Sequence, residues 1–323
     1  MPILSNGYLE LPSFPSPTWE MEAVVCDGHF YLVGGITSSY GAQLGWVPNR
    51  YVYKWDASTQ SWLEKTPVPV ATHHMCVTEL DGCLYLFGGF EKPALGPDDW
   101  KPVAHAWCYD TQSDQWTSIA PLPIAKGACS ATALNGKIYV AGGAYACLDE
   151  GKRLLGQKLP HASTAQVDVY DPISNTYTGI APMLTCRNHH MLEAVNGRLY
   201  AIAGRVGSSN IWFANKIDLI EEYDPLINSW IPKSRTPNVR SAMAGGIYNG
   251  CIYIAGGEGV TAVDKFDPSN NEWSVPCHLP EARLGLSGAI VGSQFMVAGG
   301  HRRTEFGSIP ISECIAIELN KLI

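Results

Sequence analysis

The residues of this chain that could do chemistry stand at fixed distances from six small-residue pairs: Gly34-Gly35, Gly88-Gly89, Gly142-Gly143, Ala203-Gly204, Gly256-Gly257 and Gly299-Gly300. Sixteen residues before the first position of each pair stand Thr18, Thr72, Lys126, Arg187, Arg240 and Arg283, a series that runs from neutral to basic. Guanidinium groups receive carboxylates and phosphates in a planar fork, so Arg187, Arg240 and Arg283 are candidates to hold an anion. Two residues further on come Glu20, His74, Ala128, His189, Ala242 and Gly285. Residues i and i+2 of an extended strand share a face, which makes His74 and His189 candidates for the same lining. Glu258 follows its Gly pair directly, in the shortest connection of the chain; a carboxylate covered by longer neighbouring loops is a candidate general acid or base. Arg205 and His301 complete the polar set. The long connections add aromatic residues: Tyr40, Trp46, Trp100, His105, Tyr145, His161, Trp212 and Phe213. Aromatic side chains interleaved with arginine are the composition of interface hot spots, and Trp46, Trp100 and Trp212 are the candidates.

A metal is not expected. The pairs His73-His74 and His189-His190 each send neighbouring side chains to opposite faces of a strand, and their repeats are not adjacent. Two imidazoles fall short of the three or four ligands that zinc takes.

What positions these residues is an internal repeat. Upstream of the pairs lie turns at Asp27-Gly28, Asp81-Gly82, Asn135-Gly136, Asn196-Gly197 and Asn249-Gly250, with a looser Gly292-Ser293. Asn-Gly and Asp-Gly between apolar runs supply the positive φ angles of a two-residue hairpin. Downstream come an aromatic-Asp pair and a second aromatic six residues past the Asp: Asp56 and Trp62, Asp110 and Trp116, Asp171 and Tyr177, Asp224 and Trp230, Asp267 and Trp273. An all-β sandwich with scattered glycines does not predict such fixed offsets; a radial array does.

YLVGG, LYLFGG, IYVAGG and IYIAGG, each followed by an aromatic-Asp and an aromatic, resemble the kelch repeat over essentially all 323 residues. The resemblance implies an all-β, six-bladed propeller with four antiparallel strands per blade, forming a single domain over residues 1–323. The innermost strand lines a channel, the second ends at the Gly pair, the third carries the aromatic-Asp and the outer one the Trp. After Gly300 one further strand, 311–319, precedes the end of the chain. Residues 7–12 (GYLELP) therefore supply the missing outer strand of the last blade, with Tyr8 in the Trp place. Closure of this kind leaves no unpaired wedge.

Composition restricts the partners. A formal charge of −8 leaves no basic field for nucleic acid. The N-terminus lacks a charged segment followed by an apolar stretch, and apolar runs near membrane-spanning length are absent, so secretion and membrane spanning are not expected. The ten cysteines fall mostly within strand patterns, as small apolar residues rather than a disulfide framework. With no Asn-X-Ser/Thr sequon, the expectation is a cytoplasmic, monomeric propeller.

From the second Gly to the aromatic-Asp, blade five spends 10 residues and blades one to four spend 20 to 28. One face of the disc therefore carries the long loops, and function is expected there. Two classes of function are consistent with this. Kelch propellers similar to this one bind a short acidic peptide over the channel mouth, often as the substrate arm of a ubiquitin ligase. No segment here resembles the BTB or BACK regions of such ligases. The expected partner is an acidic peptide or protein, or a small anionic ligand. The alternative is a small-molecule enzyme, of mutarotase, isomerase or lyase type, acting on an anionic metabolite. The resemblance to sialic acid mutarotases puts a catalytic Glu directly after a Gly pair, where Glu258 stands. Their Arg six residues later is matched here by Asp264, which leaves Arg205 or Arg240 to substitute. The E-x3-D-x3-H iron motif of the kelch specifier proteins is not found, and no cofactor is expected.

Overall fold

The computed structural model describes residues 8–37, 47–92, 100–147, 153–154, 157–158, 161–209, 214–305 and 307–322. Among them are six four-stranded antiparallel sheets. Blade one comprises Glu22–Cys26, His29–Val33, Val52–Asp56 and Ser61–Glu64. Blade two comprises Cys76–Leu80, Cys83–Phe87, Ala106–Asp110 and Gln115–Ser118; blade three, Ser130–Leu134, Lys137–Ala141, Val167–Asp171 and Thr176–Gly179. Blade four runs through Met191–Val195, Arg198–Ile202, Ile220–Asp224 and Ser229–Pro232, and blade five through Ala244–Tyr248, Cys251–Ala255, Ala262–Asp267 and Glu272–His278. Blade six takes Ser287–Val291, Gln294–Ala298 and Cys314–Glu318 from the end of the chain and Tyr8–Leu11 from its beginning. The closing strand pairs antiparallel, Tyr8 opposite Ile317 and Leu11 opposite Cys314.

Among the described residues, six hydrophobic clusters each lie between two adjacent blades rather than within one, and a smaller seventh gathers Phe90, Ala128 and Ala144. The cluster built from Phe30, Leu32, Trp55, Met296 and Ala316 joins the last blade to the first, and Tyr8 is buried between blades five and six. The disc is thus a closed six-bladed propeller, in which no blade can bury its faces alone.

The repeated residues hold neighbours together. In the turn before the second strand, Asn249 and Gly250 both take left-handed φ, 49° and 74°. The Gly pair is demanded by the adjacent blade: a Cβ on Gly88 would lie 2.2 Å from the carbonyl oxygen of Lys126. The outer aromatic is a cross-blade bond. Trp62 Nε1 donates to Pro12 O at 2.8 Å, Trp116 to Thr66 O at 2.9 Å, and Trp230 to Ala181 O at 2.9 Å. Beside it, the side-chain oxygens of Asp114, Asn175, Asn228 and Asn271 accept from the backbone N–H of Thr66, Ala120, Ala181 and Ser234 in the preceding blade, all at 2.8 to 3.0 Å.

The long connections are themselves built on strands. Ile36–Thr37 pairs with Val47–Pro48, Phe90–Glu91 with Lys101–Pro102, Ala144–Ala146 with His161–Ser163, Arg205–Gly207 with Ala214–Lys216, and His301–Thr304 with Gly307–Pro310. These hairpins rise directly from the Gly pairs and crown one face; blade five has a tight turn at Glu258-Gly259 instead. All ten cysteines are free thiols. None of the described helices is long and apolar enough to cross a membrane.

Candidate functional site

The link into each innermost strand passes the channel axis in an unusual conformation. Glu20, His74, Ala128, His189, Ala242 and Gly285 all take left-handed φ, from 49° to 61°. Their backbones bond from blade to blade. His74 N–H donates to Glu20 O at 3.4 Å, Ala128 to His74 O at 2.7 Å, His189 to Ala128 O at 2.9 Å, Ala242 to His189 O at 3.0 Å, and Glu20 to Gly285 O at 2.8 Å. The mouth of the channel is therefore a collar of peptide groups. The channel wall below it encloses about 130 Å³.

This collar corrects the expectation that His74 and His189 lie apart on non-adjacent blades. Strand alternation does not govern residues in left-handed conformation, and the collar is narrow enough for distant blades to meet. One ligating atom each from Glu20, His74 and His189 falls within 4.8 Å of the others, and the two imidazole centroids are 4.8 Å apart. His74 Nε2 faces Glu20 Oε2 at 3.3 Å, and its Nδ1 faces His73 Nδ1 at 2.5 Å. One of the two Nδ1 atoms carries the hydrogen they share. Burial pushes the Glu20 carboxyl up, but His74, Arg205 and His301 outweigh it and hold the group below the usual carboxylate range.

Three of the expected residues meet on the other side of the collar. Arg205, the first residue after Ala203-Gly204, is placed by an antiparallel bridge to Asn188. Its Nη1 donates to Glu258 Oε1 at 2.7 Å, and its Nη2 to His189 Nε2 and to Ser209 O, both at 2.6 Å. His189 Nδ1–H in turn donates to Asn188 Oδ1 at 2.6 Å, which fixes the tautomer. Burial, then the Arg205 charge, pushes the His189 imidazole well below its ordinary range, so it is neutral. A His₂Glu donor set could hold a divalent cation. Here the lone pair of His189 Nε2 is taken by Arg205, and the guanidinium supplies the positive charge beside Glu20.

Glu258 is not a surface residue. Its side chain is 7% exposed, Ser241 Oγ donates to Oε1 at 2.9 Å, and Lys216 Nζ stands 3.7 Å from Oε2, which makes no hydrogen bond. His301, the equivalent first residue after the Gly pair of blade six, stacks on Trp19 with centroids 4.1 Å apart. Trp100 lies against His73, His74 and Phe90 at 4.7, 5.0 and 5.7 Å, and its carbonyl meets His161 Nε2 at 2.7 Å. The mouth is thus aromatic over blades one to three and ionic over blades four and five. Trp46 and Trp212 lie outside the described residues.

The three arginines expected to make a basic sector do not reach the mouth. Arg187 and Arg240 are fully buried inside their own blades. Arg187 donates to the carbonyls of Ala203 and Leu219 and to the Glu221 carboxylate; Arg240 donates to Gly256 O at 3.0 Å, Ala262 O at 3.1 Å and Asp264 Oδ2 at 2.5 Å. Arg283 is spent on Glu281 and Glu313, both at 3.1 Å. Lys126 repeats the pattern with Asp168 at 2.9 Å. Asp264, which stands where the mutarotase pattern has Arg, is thereby the counter-ion of Arg240. The signal was readable: Asp168, Glu221 and Asp264 each stand two residues before the aromatic of the aromatic-Asp pair, whereas the blades with Thr at the link have Tyr53 and Trp107 there. Glu20, Ser241, Lys216 and Asn188 were not singled out in the sequence as site residues, because their roles depend on contacts between blades.

The chain matches the family model described as Kelch motif at residues 71–123 and 126–184. It is 27% identical over 283 residues to Kelch-like protein 23 of Homo sapiens, covering 78% of this chain and 47% of that protein. It is 23% identical over 248 residues to Kelch-like protein terF of Aspergillus terreus, covering 75% of this chain and 50% of that one. The chain spans about half the length of these curated relatives. Among solved structures it superposes on the one titled Structure of YjhT with a TM-score of 0.73 over 94% of this chain and 95% of the other, at 16% identity, a likeness of fold alone.

Proposed function

The chain is a member of the kelch-repeat β-propeller family, and from that premise we propose that it is a protein-recognition module whose partner seats over the channel mouth, on the hairpin-crowned face. The observation that carries this reading is the build of the mouth. A collar of inter-blade hydrogen bonds closes the axis, and the channel wall beneath it encloses about 130 Å³, short of the several hundred that a buried metabolite takes. Above the collar, Trp100 offers an aromatic anchor against His74, whose ring meets that of His189, the acceptor of Arg205. The partner segment is proposed to carry a carboxylate. Lys216, whose side chain is 34% exposed, and Arg205, by exchange of its Glu258 contact, are the groups that receive it. Affinity capture with the wild-type chain and with Trp100→Ala tests the reading. A partner held by the wild type should bind the variant at least about tenfold more weakly, and one held equally by both sinks it.

One observation favours a second reading, in which the same residues turn over a small anionic metabolite. Glu258 is enclosed, borders a guanidinium and keeps one carboxylate oxygen without a hydrogen bond. On that reading Glu258→Gln keeps ligand binding, seen as a thermal shift with a library of anionic metabolites, and loses turnover by ~100-fold or more. On the recognition reading the same change alters partner affinity only modestly.

A further inference from the structure

Cys76 opens the innermost strand of blade two, and Cys129 immediately precedes the innermost strand of blade three. They are 53 residues apart in sequence, yet their sulfurs are 3.3 Å apart across the blade boundary. A disulfide of about 2.05 Å requires the two sulfurs to close by only a little over 1 Å. Their surroundings differ. Cys129 lines the channel wall; Cys76 is 2% exposed and turned away from it, its thiol also reaching toward Phe87 O at 3.7 Å. The Cys76 S–H directed at Cys129 and the nearby Lys126 ammonium favour a thiolate on Cys129 against the cost of its burial, holding it below the ordinary thiol range. Burial and the same contact push Cys76 well above it. One sulfur is prepared to attack and the other stays protonated as its neighbour.

We propose that Cys129 is a site of oxidation by peroxide and Cys76 its resolving thiol, the two forming a reversible disulfide that staples blade two to blade three at the channel wall. In the first step the Cys129 thiolate attacks one oxygen of hydrogen peroxide. The O–O bond breaks, the departing hydroxide takes a proton and leaves as water, and Cys129 becomes a sulfenic acid. In the second, Cys76 gives its proton to the leaving hydroxyl and its sulfur bonds to Cys129, releasing a second water. Two thiols are oxidised by two electrons and one peroxide is reduced to two waters; an added thiol reductant reverses the bond. The cavity that Cys129 lines, about 130 Å³, is larger than a peroxide molecule. The staple would lie beside the collar, because Cys129 follows Ala128, Cys76 is two residues from His74, and Ala128 N–H already bonds His74 O at 2.7 Å.

Blade two contains an internal control. Cys83 and Cys108 lie on neighbouring strands, but burial and the Cys108 thiol push Cys83 up to about 12, so it is not a nucleophile at neutral pH. The full chain, reduced with dithiothreitol, desalted and exposed to hydrogen peroxide, is followed by intact mass and by peptide mapping without reductant. The expected result is loss of two hydrogens, restored by dithiothreitol, and a cross-linked peptide joining Cys76 to Cys129. In Cys76→Ser, Cys129 should instead gain one oxygen and be captured by dimedone. In Cys129→Ser, peroxide consumption should slow by about tenfold or more. A wild-type map without that cross-link overturns the proposal whatever the variants do, as does a first disulfide between Cys83 and Cys108 or between two copies of the chain.

Discussion

Arg240 and Arg205 are both buried arginines facing a carboxylate, and they do different work, although the Gly204 N–H beside one donates to the carbonyl of the other at 3.0 Å. Arg240 is closed within blade five, where it donates to two carbonyls of its own repeat and to Asp264 on the third strand. Burial outweighs the attraction on both sides, pulling the Arg240 guanidinium below its ordinary range and pushing the Asp264 carboxyl up. A pair whose desolvation exceeds its attraction adds little net stability but is costly to break, so it specifies how the blade is built. Arg205 takes its counter-ion from the next repeat: Glu258 belongs to blade five, while His189, Ser209 and Asn188, its other partners, come from its own. A charge whose counter-ion comes from its own repeat is scaffold; one whose counter-ion comes from the next repeat marks where the ring was made into a site.

That contrast can be broken at several levels. The scaffold should fail most completely when the ring is opened. Deleting residues 1–12 removes the strand paired to Cys314–Glu318 and uncovers the core around Tyr8, and the expected outcome is insoluble protein or a cooperative unfolding transition lost at 25 °C. A deletion variant that melts like the full chain would show the closure to be dispensable.

Arg240→Ala comes next. It leaves Asp264 buried without its cation and should cost about 3–5 kcal/mol in urea unfolding. Adding Asp264→Ala should recover part of the loss, and strict additivity of the two would deny the coupling.

The channel supplies a pH-dependent effect. Burial lifts Glu193 to about 7, and burial with the charge of Glu20 holds Glu22 well above the usual carboxylate range. A carboxyl raised in the folded state is no burden below its unfolded value near 4.5, becomes a growing one as pH rises from there to about 7, and is fully one above that. Glu193→Gln should therefore leave stability unchanged at pH 4 and raise it at pH 8, by at most about 3 kcal/mol. Equal effects at the two pH values would count against a buried, proton-holding Glu193.

The smallest effect on stability is expected at the mouth. Glu258→Gln keeps the contacts of Arg205 to His189, Ser209 and Asn188 and should change unfolding free energy by no more than about 1 kcal/mol. A loss as large as that of Arg240→Ala would place Glu258 with the scaffold.

The division between what was legible and what was not follows the range of the interactions. The hairpin turns, the Gly pairs, the outer aromatics and the closing strand are set by backbone conformation and by contacts that recur identically in each repeat, so a single sequence displays them. Even the scaffold role of Arg187 and Arg240 was written there, in Glu221 and Asp264 two residues before the aromatic-Asp, although composition at the link alone pointed to a ligand. The meeting of Glu20, His74 and His189, the bond from Arg205 to Glu258 and the approach of Cys76 to Cys129 were not legible. They join residues 53 or more positions apart, except for Arg205 and His189, and none is repeated around the ring. Only the radius of the closed ring and the left-handed collar bring those atoms within reach, and both are properties of six blades packed together.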